Sequence, residues 1–458
     1  MTHPTVVINV VGLSGSLIGE ATANINRLIA RGSMRRVIPV LPAVTCSVQS
    51  SMLTGLRPNQ HGIVGNGWYN RELNEVHFWK QSNRLVHGEK VWETARRRDP
   101  SVTCANMFWW FNMYGTVDYS VTPRPIYKAD GRKIPDIYSH PPQLRPMLQD
   151  TLGRFPLFNF WGPASSIKSS EWIAAASVLV HERFRPTLML IYLPHLDYGL
   201  QKLGPVHPKI SDEVRAIDRV VGRLIDYFDS KGVRILLLSE YGIEAVDDSV
   251  HINRSLREAG AVAVREEQRL ELLDPGASDA FAVTDHQVAH VYVRDPRQAA
   301  RYAQFCRQVP GVGRVLERDQ RAASGLDHER SGDLLLVAKR GRWFSYDYWL
   351  DERKAPDFAR TVDIHRKPGY DPAELFIDPK LRFATLSIGW RLLKMQLGFR
   401  TVMDVIPLDT SLVRGSHGRV DVDEGLRPVL ITEHVTGDAN ELPCTSVRDV
   451  ILAHLFEA

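Results

Sequence analysis

Three apolar runs set the frame of the chain. Val6-Val-Ile-Asn-Val-Val11 stops at Gly12, and Thr187 to Leu193 and Val233 to Leu238 repeat its character. Short runs rich in aliphatic residues, with little alternation, are what a strand covered on both faces of a parallel sheet shows. Between them the apolar period becomes helical. A helix is predicted over Thr22 to Ala30, stopped at Gly32. A longer one is predicted over Asp212 to Asp229, with Ile217, Val220, Val221, Leu224 and Phe228 along one face and Gly232 closing it. Further on, His290 to Val293 and Asp333 to Ala338 read as strands, Trp343 to Tyr346 as a partner of the latter, Pro296 to Gln308 as a helix, and Thr445 to Phe456 as an amphipathic covering helix. The sum is an α/β fold around a mostly parallel sheet.

Residues 67–163 break this rhythm. They are rich in aromatics (Trp68-Tyr69, Phe108-Trp-Trp-Phe111, Phe158 to Trp161) and in proline, and they predict short helices and loops. We read them as a cap inserted into a single domain spanning 1–458. Its rings either pack a core or wall an apolar pocket.

Composition narrows the function classes. The 458 residues, 44% of them hydrophobic and 24% charged, suit a large globular enzyme or binding protein. A net charge of +4 with scattered arginines gives no concentrated basic patch, so nucleic acid is not an expected partner. Cys46, Cys104, Cys306 and Cys444 are far apart and form no CxxC pair, which argues against a disulfide framework. The opening Met-Thr-His-Pro lacks the basic start of a signal peptide, and no apolar run reaches the ~18 residues of a membrane span. The expected location is cytoplasmic.

Candidate chemistry gathers after the apolar runs. Pro42 ends one element and Thr45 stands where a helix would begin, so its hydroxyl either caps that helix or serves as a nucleophile beside a positive dipole end. Asp197 and Gln201 are four apart, one helical turn on one face. Ser239-Glu240-Tyr241-Gly242 follows the third run. In open α/β sheets ligands bind outside the carboxyl ends of the strands, so these three motifs predict one site.

The segment Pro42 to Asn66, with Thr45, Thr54-Gly55, Pro58, His61-Gly62 and Asn66 at fixed spacings, resembles the nucleophile segment of the nucleotide pyrophosphatase/phosphodiesterase branch of the alkaline phosphatase superfamily. Asp197 with Gly204-Pro205, the Ser239–Gly242 corner and His417-Gly418 match the later motifs of that branch in order. The resemblance implies an alkaline-phosphatase-like three-layer sandwich with helices on both faces. It implies Thr45 as nucleophile, Asn66 on a non-bridging phosphate oxygen, a small phosphorylated substrate, and two divalent metals. Zinc is the family's usual choice; manganese, iron or magnesium are alternatives.

Four positions depart from the pattern. Val11 stands for a ligating Asp, Gln201 for a His, Glu240 for an Asp and Tyr241 for a His. Asp197, Glu240 and His417 remain as ligands, with Gln201 and His365 in reserve, enough for one oxygen-preferring metal and not for two tight zinc ions; the loop holding Asp363 and His365 either supplies a donor or is a salt-bridged structural turn. The expected activity is hydrolysis of phosphodiester or pyrophosphate bonds at a rearranged metal site. The alternative is an inactive relative that binds a phosphorylated ligand or a partner.

Overall fold

A computed structural model describes residues 2–129, 132–363, 367–399, 401–434 and 440–457. In chain order the elements that matter here are β1 (Thr5–Val10), α1 (Ala23–Arg31), β2 (Ser33–Ile38), α2 (Thr45–Thr54), β3 (Cys104–Met107), β4 (Tyr119–Pro123), β5 (Ile137–His140), α3 (Ile167–Phe184), β6 (Leu188–Leu193), α4 (His195–Leu203), α5 (Ile210–Ser230) and β7 (Arg234–Leu238). They are followed by β8 (Ala280–Asp285), β9 (Val288–Val293), α6 (Ala299–Gln308), β10 (Val312–Leu316), β11 (Leu334–Ala338), α7 (Ala384–Gln396), β12 (Val429–Thr432), β13 (Glu441–Pro443) and α8 (Val447–Phe456).

The central sheet has nine strands in the order β13-β2-β12-β7-β1-β6-β3-β4-β5. β7, β1, β6, β3 and β4 run parallel; β12 is antiparallel to both β7 and β2, and β5 is an antiparallel edge. Every residue of β1 and β6 is buried, which a strand achieves only when both sheet faces are covered. Two sets of helices provide the cover. α1, α3 and α5 pack together over β6, β7 and β12, while α2 and α8 pack together with α8 against β1. The register places Val10 beside Leu193 and Asn9 beside both Tyr192 and Leu238, so the residues following β1, β6 and β7 emerge at one edge. A smaller four-stranded antiparallel sheet, β8-β9-β11-β10, carries its own hydrophobic cluster.

Three expectations need correction. Residues 67–163 do not stand apart as a cap: they supply β3, β4 and β5 to the central sheet, because runs such as Cys104–Met107 are too short to stand out among the surrounding rings. The strand near Trp343 is Arg342–Phe344, and it pairs in parallel with Asp248–Val250 instead of with β11. Thr45 is not the N-cap of α2. Val44 holds that extended position, and Thr45 is the first helical residue.

The turn after β7 is held by a close backbone approach. A Cβ on Gly242 would coincide with the Leu426 carbonyl oxygen. Gly242→Ala is therefore expected to cost about 2 kcal/mol or more of stability, read by denaturant unfolding; an unchanged midpoint would contradict this packing.

Candidate active site

Each motif arrives at the site on a different element. Thr45 opens α2, whose first-turn N–H groups and dipole face the carboxyl edge of the sheet. α4 starts directly after β6 and carries Asp197 and Gln201. Glu240 and Tyr241 follow β7, and His417 comes from the loop before β12. The sequence thus brings Thr45, Asp197, Gln201, Glu240 and His417 together. His365 lies outside the described residues.

Glu240 is 0% exposed. Its Oε1 accepts a hydrogen bond from Asn9 Nδ2 at 2.6 Å and another from Gln49 Nε2. The orientation of Gln49 is fixed, because its Oε1 accepts the Trp110 backbone N–H at 2.6 Å and so turns its NH₂ to Glu240. Oε2 has no aligned partner, and the Thr45 hydroxyl lies close enough to the carboxylate to favour its ionised form. Burial dominates and pushes Glu240 up to about 8.

Asp197 accepts from Gln201 Nε2 at 2.7 Å and from the Tyr241 hydroxyl at 3.2 Å. Burial raises it to about 7 against those two bonds. Tyr241 Oη is also 3.1 Å from Thr45 Oγ1, so one phenol bridges the hydroxyl and the carboxylate. Its ring stacks on His417 with centroids 3.7 Å apart and planes 4° from parallel. His417 Nδ1 lies 2.9 Å from the Ala43 carbonyl oxygen, which assigns the proton to Nδ1 and leaves Nε2 facing Asp197 at 3.9 Å. Burial lowers His417 to about 3, so the ring is neutral.

A second chain of contacts was not anticipated. Asp285 and His286 close β8; Tyr370 Oη is 3.1 Å from Asp285 Oδ1 and 2.8 Å from His286 Nε2. Asn66 sits behind this chain. Its backbone N–H and Nδ2 both donate to Asp285, and its Oδ1 accepts the Cys46 N–H at 3.0 Å. The Asn66 amide is thus committed within the protein and does not line the pocket. An acid and an imidazole directly after an apolar strand was the available signal for Asp285-His286, as was a lone Asn in β1 for Asn9. Tyr370 had no sequence signal, since only tertiary packing brings it here. Near the site, Cys46 is a buried free thiol whose pKa burial raises, and His195 Nε2 lies 2.7 Å from Glu213.

Thr45 lies on a small, open pocket. Trp79, Trp110, Phe160, Trp161, Tyr198 and Tyr370 form half of its lining. Among the described residues the lining contains no Lys or Arg. The neutral donors on this lining that could meet negative charge on a ligand include the phenol hydroxyls and the unpartnered Trp79 indole N–H.

The donor set does not fit a pair of metal ions. Val11 offers no ligand and is buried in the core. Glu240 Oε1 is taken by two amide N–H groups, Gln201 turns its NH₂ toward Asp197, and the Tyr241 phenol already joins Thr45 to Asp197. Among the described residues no three His, Cys, Asp or Glu side chains converge to hold an ion. Glu240 Oε2 and Gln201 Oε1 keep no partner, but among the described residues no third His, Cys, Asp or Glu converges with Asp197 and His417, which is too few for a tight site.

Two buried acids with raised pKa values lower stability when they ionise. The unfolded chain releases their protons near pH 4 while the folded chain holds them, so stability falls as pH rises from about 4 to 8 and then levels. Glu240→Gln removes one of these terms. The variant is expected to gain about 1–3 kcal/mol on the wild type at pH 8.5 and little at pH 5, measured by urea unfolding at both values; a gain confined to low pH would contradict the burial argument.

Over 238 residues the chain is 25% identical to mouse ectonucleotide pyrophosphatase/phosphodiesterase family member 1, covering 49% of this chain and 22% of that protein. Over 225 residues it is 26% identical to an uncharacterized pyrophosphatase/phosphodiesterase of Schizosaccharomyces pombe, covering 46% and 39%. The match thus spans between about a fifth and two fifths of these relatives' lengths. Among solved structures, phosphonoacetate hydrolase from Sinorhizobium meliloti 1021 superposes with a TM-score of 0.63 at 16% identity, covering 99% of this chain and 96% of that one. Murine ectonucleotide pyrophosphatase/phosphodiesterase 5 superposes with 0.58 at 13% identity, covering 99% and 96%. Both show the same fold. The family model for type I phosphodiesterase / nucleotide pyrophosphatase matches residues 5–371, and the chain belongs to that family.

Proposed function

We propose that the protein hydrolyses phosphodiester or pyrophosphate bonds with Thr45 as nucleophile and Glu240 as the group that takes its proton. One observation carries the reading. The Thr45 hydroxyl, on the first turn of α2, stands beside a buried carboxylate and a phenol on an aromatic pocket. The absence of Lys and Arg from the described lining favours a diester, with one charge, over a monoester with two. The rings suit a base or another flat or apolar leaving group.

Two half-reactions balance on these residues. Thr45 Oγ1 attacks phosphorus as its proton passes to ionised Glu240, and the bond to the leaving oxygen breaks as that oxygen takes the proton of Asp197. While Asp197 is protonated, the Tyr241 hydroxyl is free to turn to Thr45 and stabilise its developing charge. Water then attacks the phosphothreonine and gives a proton to Asp197, while Thr45 regains its own from Glu240. The family generally depends on divalent metal. Here the amides on Glu240 and the phenol on Asp197 occupy the positions where donors would converge, which supports activity without a metal pair.

A second reading rests on the same phenol. Tyr241 already partners the Thr45 hydroxyl, as a relative that binds a phosphorylated ligand without turnover would allow.

The test is hydrolysis of bis-p-nitrophenyl phosphate and dinucleoside pyrophosphates by wild type, Thr45→Ala and Glu240→Gln, after chelator dialysis and after return of zinc, manganese, magnesium or ferrous iron. Turnover should survive chelation. It should fall to background in Thr45→Ala and by about 100-fold or more in Glu240→Gln. The mechanism needs Asp197 protonated and Glu240 ionised, so the rate should be bell-shaped with a maximum between about pH 7 and 8. Activity that appears only with added metal would overturn the metal-free centre. Undiminished turnover in Thr45→Ala would overturn the nucleophile. Ligand binding without turnover in any preparation would establish the second reading.

A further inference from the structure

The described residues of 377–402 leave the fold as an excursion whose larger apolar side chains are mostly exposed. None of the described side chains of α7 is buried. Phe383 is 78% exposed, Leu386 72%, Trp390 57% and Leu397 65%, with Leu393 completing the series. Spacings of three, four, three and four residues set these five on one stripe of the helix and its flanks. Phe399 and Val402 extend it. Scattered exposed leucines are ordinary, but a contiguous stripe of Phe, Leu and Trp marks an interaction surface.

The charges beside the stripe choose its partner. Lys380 and Arg382 are exposed, Lys394 lies 5.2 Å from the centre of the Trp390 ring, and Arg391 is bound to Asp404. The one acid among residues 377–402, Asp378, is already engaged by Arg360 and by the Lys380 N–H. A second copy of the chain would set like charges against each other across the stripe. An anionic bilayer matches both features: acyl chains take the Phe, Leu and Trp side chains, and phosphates meet Lys380, Arg382 and Lys394. No described helix is long and apolar enough to span, so α7 would lie in the interface plane.

We infer that α7 and its flanks dock the protein onto an anionic phospholipid surface. The excursion springs from the wall of the pocket: Tyr370 lines it, and Glu374 accepts a hydrogen bond from Trp161, another wall residue, at 3.0 Å. Docking therefore brings the pocket's surroundings to the bilayer. The inference stands on this surface alone and is independent of the hydrolase reading.

The test is co-sedimentation of the full chain with vesicles of equal parts phosphatidylglycerol and phosphatidylcholine, beside vesicles of phosphatidylcholine alone. Gel filtration with light scattering and thermal melts serve as controls. The wild type should sediment with the mixed vesicles, weakly with the neutral ones, and less at high salt. Trp390→Glu with Leu393→Glu should lower binding by about tenfold or more. Lys380→Glu with Arg382→Glu should do the same on mixed vesicles only. All four side chains are exposed or partly so, so both variants should melt with the wild type. A monomeric wild type that ignores anionic vesicles would overturn the inference. So would an oligomer that the Trp390→Glu, Leu393→Glu variant dissociates, since the stripe would then be a contact between copies.

Discussion

A carboxylate removed from water must be met by donors or keep its proton, and the site is organised around how Glu240 resolves this. Asn9 reaches it from the central strand and Gln49 from the second turn of α2, and the Trp110 N–H locks the Gln49 amide in the donating orientation. These bonds oppose the desolvation without cancelling it, so Glu240 titrates near neutral pH beside a hydroxyl. β1, β7 and α2 must hold their register for this to work. The burial of β1 on both faces, with the close approach of Gly242 to Leu426, supplies that rigidity.

Much of the fold was legible because its signals are local and strong. The runs at Val6, Thr187 and Val233 became the three middle strands within one residue of their expected bounds, and the helix expected over Asp212–Asp229 became Ile210–Ser230. The strands between residues 67 and 163 were hidden by their shortness and by aromatic side chains that suit a sheet, a loop or a pocket wall equally. Rings from that stretch do both jobs: Trp109 is core, and Trp110 and Trp161 line the pocket.

The site was half legible. Asp197 and Glu240 were visible at the ends of apolar runs, Thr45 at a helix start after Pro42 and His417 through the family pattern, and the structure gathers them. What each does there depends on neighbours distant in sequence. Gln201 and Asn66 looked like groups free for an ion or a phosphate; the Asn66 amide is engaged by Asp285 and the Cys46 N–H, and Gln201 gives its NH₂ to Asp197 while its Oε1 keeps no partner. Tyr241 looked like a lost imidazole. In place it stacks on His417 and links Thr45 to Asp197, so three of the four departures from the family pattern, Gln201, Glu240 and Tyr241, form one connected hydrogen-bonded arrangement around the nucleophile, while Val11 joins the core.

The most direct test of that arrangement is the metal content of the purified protein after equilibration with zinc and removal of unbound ion, with the Asp197→Ala/His417→Ala double variant alongside. A centre closed by amides and a phenol predicts well under one equivalent in the wild type and no difference in the variant. One or two tightly held equivalents that vanish in the variant would contradict it, and would mean that Tyr241 and the Glu240 amides move aside for a cation.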